Sequence, residues 1–303
     1  MELCDTQTAE YLSFIPAYNT TMVKKLPSYE LPSPTAPFST YEWVKAWHET
    51  IGKDWELYIL SVNNDVIAPF ARKGNEIIFA GGDEVTDYLD IIGPDDAKKK
   101  AWPEILAFLK NEEVTSLHLN NVPQNSPTVS FFKSHASSII KEQDTTPMMT
   151  LPPTLDKKDR HEMERKIRKF VRENANIACK DGNNIEILLS LMKLDPRKKE
   201  FLTPAMEQFF QKIHTMGTIT ELLVDKVPAA AMLAFRVNDT LMGYNSGFDE
   251  TNFSGSGFYL KAMHIKRAIE SGAKTYNFLQ GSERYKYELG GKDFFVYRVD
   301  VTL

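Results

Sequence analysis

Cysteine is almost missing from this chain: Cys4 and Cys179 are the only two in 303 residues. They match no metal or redox spacing, so neither a disulfide framework nor a thiolate metal site organises the fold, and a reducing compartment is expected. Long apolar runs are missing too. Stretches such as Ala229-Ala-Ala-Met-Leu-Ala-Phe235 fall far short of the roughly 18 residues that span a bilayer, and this one reads as a buried strand. The first residues, with Glu2 and Asp5, lack the apolar core of a secretory signal. The expectation is a cytoplasmic protein without a membrane span. The six histidines show no ligand spacing, so no metal site is expected. There is no nucleophile elbow, Walker loop, dinucleotide fingerprint or kinase signature. A net charge of −5 argues against DNA binding driven by the field of the whole molecule.

What is present is a globular composition, 42% hydrophobic and 25% charged, over a length that holds two ordinary domains or one large one. Residues 1–37 are proline-rich and without periodicity, and read as an irregular arm. Ser39 or Thr40 then caps a helix with Trp43, Val44 and Trp47 on one face. Strands are expected at 57–62 and 66–71 around Asn63-Asn64-Asp65, then at 76–80 and 88–92. A helix at 97–110, a strand at 116–120, a helix near 128–135 and a strand at 148–151 follow. Pro152-Pro153 marks a boundary. Beyond it come helices at 156–172, 185–194 and 204–216, strands at 220–224, 229–237 and 240–247, a helix at 258–271 stopped by Gly272, and strands at 275–279 and 294–301. Both halves run helices, antiparallel meander, crossover helix, strand. The expected domains are therefore 38–152 and 153–303, two copies of one α/β unit.

The two crossover helices differ at their starts. Ser254-Gly-Ser-Gly257 offers a backbone that lets an anion approach the free N–H groups of a first helical turn, whereas Gly93-Pro-Asp-Asp96 already supplies carboxylates to the helix dipole. Past the strand at 275–279, Gln280-Gly281 leads to Tyr285-Lys286 near the end of the sheet. There a lysine neutralises a phosphate or an oxyanion, or simply lies exposed, and a tyrosine protonates a leaving group or simply packs. Between strands of the first half, Asp87 is placed to orient or deprotonate an amine beside Tyr88, or to serve as a turn residue. The segment 156–173 carries eight basic and five acidic residues; it is either a solvated face with internal ion pairs or a basic rim for phosphates or tRNA.

The run Phe278-Leu-Gln-Gly-Ser-Glu-Arg-Tyr285-Lys286-Tyr287 resembles the terminal signature of the CelD-like acetyltransferase branch of the GNAT superfamily, in which a strand of the type D/N-F-L-x-G leads into an acidic residue and Tyr-Lys-Tyr/Phe. Phe38-Ser-Thr-Tyr-Glu-Trp43 with Trp47, Thr86-Asp-Tyr-Leu-Asp90 and the basic helix after Leu151-Pro-Pro agree, so the resemblance spans about 38–300. The branch is similar to the Fem-type aminoacyltransferases. The resemblance implies an α/β protein of two tandem GNAT-like domains, with mixed, mostly antiparallel sheets flanked by helices. It implies transfer of an acyl group, acetyl being expected, from acetyl-CoA or another acyl-CoA to the amine of a small molecule or precursor. Ser254, Gly255, Ser256 and Gly257 would hold the pyrophosphate, Asn245 and Ser246 would face the pantetheine, and Tyr285 or Lys286 would assist the leaving group. Asp87, Tyr88 and Gln280 would meet the acceptor. The usual GNAT loop opens on Gln or Arg, where this chain has Asn252. The alternatives are a Fem-like transferase using aminoacyl-tRNA on a cell-wall precursor, and an inactive pair serving as a scaffold.

Overall fold

The computed structural model describes residues 22–31 and 36–303. Cys4 and most of the arm expected over 1–37 lie outside the described residues.

The chain runs through β1 (Val23–Leu26), α1 (Tyr41–Thr50), β2 (Glu56–Val62), β3 (Val66–Lys73), β4 (Glu76–Phe79), α2 (Asp95–Asn111), β5 (Ser116–Pro123), α3 (Pro127–Lys133), β6 (Ser138–Thr145) and β7 (Met148–Thr150). It continues through α4 (Lys157–Glu173), β8 (Ile177–Gly182), α5 (Ile185–Met192), α6 (Pro196–Phe201), α7 (Pro204–Ile213), β9 (Thr218–Val224), β10 (Val227–Val237), β11 (Thr240–Phe248), α8 (Ser256–Glu270), β12 (Thr275–Asn277), α9 (Arg284–Glu288) and β13 (Phe295–Thr302). The strands form two sheets, β1-β2-β3-β4-β5-β13-β6 and β7-β12-β11-β10-β9-β8. Each is antiparallel except for one pair: β4 runs parallel to β5 across helix α2, and β11 runs parallel to β12 across helix α8. The fold is α/β, with two mixed, mostly antiparallel sheets flanked by helices.

Two strands cross the division at 152/153. The last strand, β13, sits between β5 and β6 of the first sheet, and β7 pairs with β12 of the second. Strand β10 is buried on both faces, which is why its sequence is an unbroken apolar run rather than an alternation. Ala231, Leu233 and Phe235 face α1, α5 and α7, while Ala230 and Met232 face α4 and α8. The N-cap of α1 is Thr40, whose hydroxyl accepts the Trp43 N–H. Its Trp43 donates its indole N–H to the Thr86 hydroxyl of the first half at 2.8 Å and carries its ring to the second, meeting Phe209, Phe235 and Tyr244 edge-on at centroid separations of 5.1, 5.6 and 5.5 Å.

The strand expected at 88–92 does not form; the segment touches the sheet through the Leu89 N–H on the Asn121 carbonyl and through an Ile92–Ile67 bridge. The Asp90 carboxylate accepts bonds from the Ile91 N–H, the Ser126 and Thr128 hydroxyls and the Lys98 ammonium, and this local bonding displaces the ladder. Two strands without a clear apolar signal, β6 and β8, lie at sheet edges, where polar sequence is the rule.

Candidate active site

The site opens where two strands part. β11 and β12 pair only through Thr240–Met242 and Thr275–Asn277. Beyond that point β11 follows β10, with Tyr244 inserted as an extra residue between Gly243 and Asn245. Such a bulge bends the strand and raises its twist, while the chain after β12 leaves the sheet. Gly243 is needed beside the bulge because a Cβ there would lie 2.6 Å from the Tyr276 hydroxyl. The wedge between the diverging strands is a cavity of about 290 Å3 whose lining includes Asp87, Tyr244, Asn245, Ser246, Gln280, Tyr285 and Lys286. It shares Lys198, Ser246, Glu283 and Tyr285 with an outer space of about 530 Å3, which runs past Ser254, Gly255 and Gly257 to the basic face of α4.

The first half closes the wedge through residues 85–88. The Tyr244 hydroxyl donates to the Val85 carbonyl at 2.7 Å, and the Gln280 N–H donates to Asp87 Oδ1 at 2.7 Å. Burial pushes the Asp87 carboxyl up to about 6, against the opposing pull of the Gln280 N–H and the Lys286 charge. A carboxylate so placed takes up and releases a proton near neutral pH. Tyr88, expected beside it, points elsewhere. Its hydroxyl accepts from Asn277 Nδ2 at 2.8 Å, its ring packs on Phe38 and Phe294, and it lines a separate cavity with Asp90 and Ser126. Asn277 faces Tyr88 because β12 carries it to the seam, so Tyr88 fastens the two halves.

Tyr285 and Lys286, adjacent in α9, have opposite fates. The Tyr285 phenol lines both parts of the cleft, and burial raises its pKa far above the ordinary value. It stays protonated and is suited to donate. Lys286 is 1% exposed. Its ammonium donates to the carbonyls of Leu279 (2.9 Å), Gln280 and Gly281 (3.0 Å) and pairs with Glu283 at 3.0 Å. With every proton engaged, it has none to offer a leaving group. Instead it holds a loop in which Leu279 has φ 59°, a strained value for a bulky residue. That loop presents the Gln280 N–H to Asp87.

The start of α8 is an anion cradle that already holds a carboxylate. Gly255 has φ 84°, and its N–H donates to both Glu250 oxygens at 3.1 and 3.2 Å, while the Ser254 hydroxyl donates to Glu250 Oε1 at 2.9 Å. Ser256 is fully buried and its hydroxyl donates to the Ala229 carbonyl, so it is not free for a cofactor. At the mouth, Arg165, Lys166 and Lys169 line the outer space, but each has an acidic partner: Glu162 at 2.7 Å, Glu288 at 2.6 Å and Glu173 at 4.0 Å.

Sequence reasoning missed Lys198, Glu250, Lys261 and Glu283. Lys261 carried a legible signal: it shares the buried stripe of α8 with Gly257, His264 and Ala268, where a charge is out of place. Lys198 carried none, since α6 has no apolar face to read. Among the described residues no group of metal-ligating side chains is present. No described helix is long and apolar enough to cross a membrane.

Residues 157–287 match the family model described as an acetyltransferase (GNAT) domain. No curated protein matches the chain. Among solved structures, L-PGS from Bacillus licheniformis superposes with a TM-score of 0.63 at 13% identity, over 90% of this chain and 94% of that one. The C-terminal domain of a putative lysylphosphatidylglycerol synthetase from Agrobacterium fabrum gives 0.62 at 9% identity, over 86% and 91%. FemX gives 0.60 at 12% identity, over 90% and 93%. At these identities the likeness is one of fold.

Proposed function

We propose that this chain, a member of the GNAT/Fem-related branch with a GNAT domain at residues 157–287, transfers an acyl group from acyl-CoA, acetyl being expected, to an amine. The observation that carries the reading is the parting of β11 from β12. It bares the Asn245–Ser246 edge of β11 beside Tyr285, where the Ser246 carbonyl accepts from the Lys198 ammonium, and an edge without a neighbouring strand suits the amides of an extended pantetheine arm. Asp87 takes the proton that the attacking amine loses as its nitrogen bonds to the acyl carbon. As the C–S bond breaks, Tyr285 protonates the thiolate, so the products are an amide and a thiol. Lys286 is the positioning residue that holds Gln280 against Asp87. The cradle at Ser254–Gly255 suits a phosphate by the same contacts that now hold Glu250, which a pyrophosphate must displace.

A thermal-unfolding screen with acetyl-CoA and longer acyl-CoAs tests this. Saturating ligand at about 100 times its Kd should stabilise the protein by about 2.7 kcal/mol. No shift with any acyl-CoA refutes the donor. A second reading, transfer from aminoacyl-tRNA, draws on the basic residues at the cleft mouth and on the fold shared with FemX. Reversing the charges of Lys166 and Lys169 should abolish tRNA binding under that reading and leave acyl-CoA turnover little changed under the first.

A further inference from the structure

Lys261 has no ion-pair partner among the described residues, whereas the cleft lysines Lys166 and Lys286 are paired; the Glu283 carboxylate acts on it only from beyond 4.0 Å. Lys261 is only 7% exposed and lines the outer cleft. Its ammonium lies 4.6 Å from the Tyr285 ring centroid and 5.2 Å from that of Phe248. Among the described residues its one hydrogen-bond acceptor is the Gly257 carbonyl of its own helix, at 3.5 Å. Among the described residues, no carboxylate comes within 4.0 Å of Lys261 or of Lys198, whereas Lys166 has Glu288 and Lys286 has Glu283. Lys198 comes to the same place from α6, with its ammonium on the Ser246 carbonyl and 5.8 Å from the Phe248 ring centroid. Phe248 thus lies beneath two ammonium groups that face one space. Burial and then the Lys198 charge push Lys261 down to about 7. An anion between the two would reverse the second effect and supply the missing hydrogen-bond acceptors.

We propose that the acyl acceptor is an amine that also carries a carboxylate or phosphate, and that Lys261 with Lys198 receives this oxyanion. The inference rests on the acyl-transfer reading for its choice of acceptor over donor. If Tyr285 meets the leaving sulfur, an anion on Lys261 lies beside the reacting group. The competing occupant is the pyrophosphate of a coenzyme A donor, because Lys261 lines the same outer space as Ser254 and Gly255; Lys198, which also lines the inner wedge with Asp87, favours the acceptor. The inner wedge, which Lys198 also lines, carries Asp83, Glu84 and Asp87, which suits the ammonium end of the same small molecule. The cleft is therefore charged for a zwitterion.

Titration calorimetry without any acyl donor tests the proposal with three probes: 2-aminoethylphosphonate, β-alanine and propylamine. At least one zwitterion should bind saturably and propylamine should not; the better zwitterion tells phosphate from carboxylate. Lys261→Met and Lys198→Met should each weaken that binding by about tenfold or more, the worth of one charge-assisted hydrogen bond. Lys198 is only partly buried, so its variant stands as a readout should Lys261→Met fail to fold. Equal binding of propylamine, no saturable binding of either zwitterion, or undiminished binding in the folded variants overturns the proposal. Because the calorimetry is independent of transfer, zwitterion binding by a protein that a separate assay shows to turn over no acyl-CoA would sink the acyltransferase reading alone. Turnover of plain amines without any need for Lys261 would sink the oxyanion site alone.

Discussion

Replacing Asp87 by Asn should make the protein more stable and much less active. The carboxylate is 8% exposed and titrates at about 6 rather than 3.8, so ionising it in the folded state costs up to about 3 kcal/mol at neutral pH. The raised value fixes the sign. Between pH 3.8 and 6 the folded protein binds more protons than the unfolded chain, so this group's contribution is fully favourable below 3.8 and is lost as pH rises through 6. Asn has no charge to desolvate, and its amide oxygen still accepts the Gln280 N–H. Urea unfolding of both proteins should therefore show Asp87→Asn more stable by up to about 3 kcal/mol at pH 7.5, the gap shrinking towards zero near pH 4. Turnover should fall by at least about a hundredfold, as for loss of a general base, and the wild-type rate should rise along an acidic limb near pH 6. A variant no more stable at pH 7.5, or equally stabilised at both pH values, refutes the account of a desolvated carboxylate. A variant with full turnover refutes its role as base.

The other predictions concern groups around the same cleft. Lys286→Met should lower stability by about 2–4 kcal/mol in equilibrium unfolding, because the Leu279, Gln280 and Gly281 carbonyls lose a shared donor in a strained loop; a surface-like effect below about 0.5 kcal/mol would show that the loop holds itself. Glu250→Gln should tighten acyl-CoA binding severalfold by weakening the internal competitor at Gly255, whereas weaker binding in calorimetry would mean that Glu250 orders the loop instead. His264 is buried beside the Tyr276 hydroxyl, and burial lowers it to about 4. Its contribution to stability is intact above pH 6.5 and drains away as pH falls through 4, by up to about 3 kcal/mol. Unfolding of His264→Leu across that window should show a flatter pH dependence than the wild type.

Local pattern alone determined much of this molecule. The Thr40 cap, the apolar run of β10 and the helix-breaking Gly272 follow from what each residue does to its own few neighbours. Asn245 and Ser246 lie near the end of β11, and Gln280 and Tyr285 follow β12, placements that local pattern marks; that they share a wedge with Asp87 of the first half is a tertiary outcome. Tertiary structure decided the rest, through interactions that have no local period. It paired β13 with β5 across more than half the chain and turned Tyr88 towards Asn277. It filled the α8 cradle with Glu250 and spent every proton of Lys286 on backbone carbonyls. It also left Lys261 buried with no carboxylate in ion-pair range among the described residues. A lysine reads the same in sequence whether it ends in water, on three carbonyls or over two aromatic rings. Desolvation and charge pairing separate those fates, and both are set by residues that only the fold brings near.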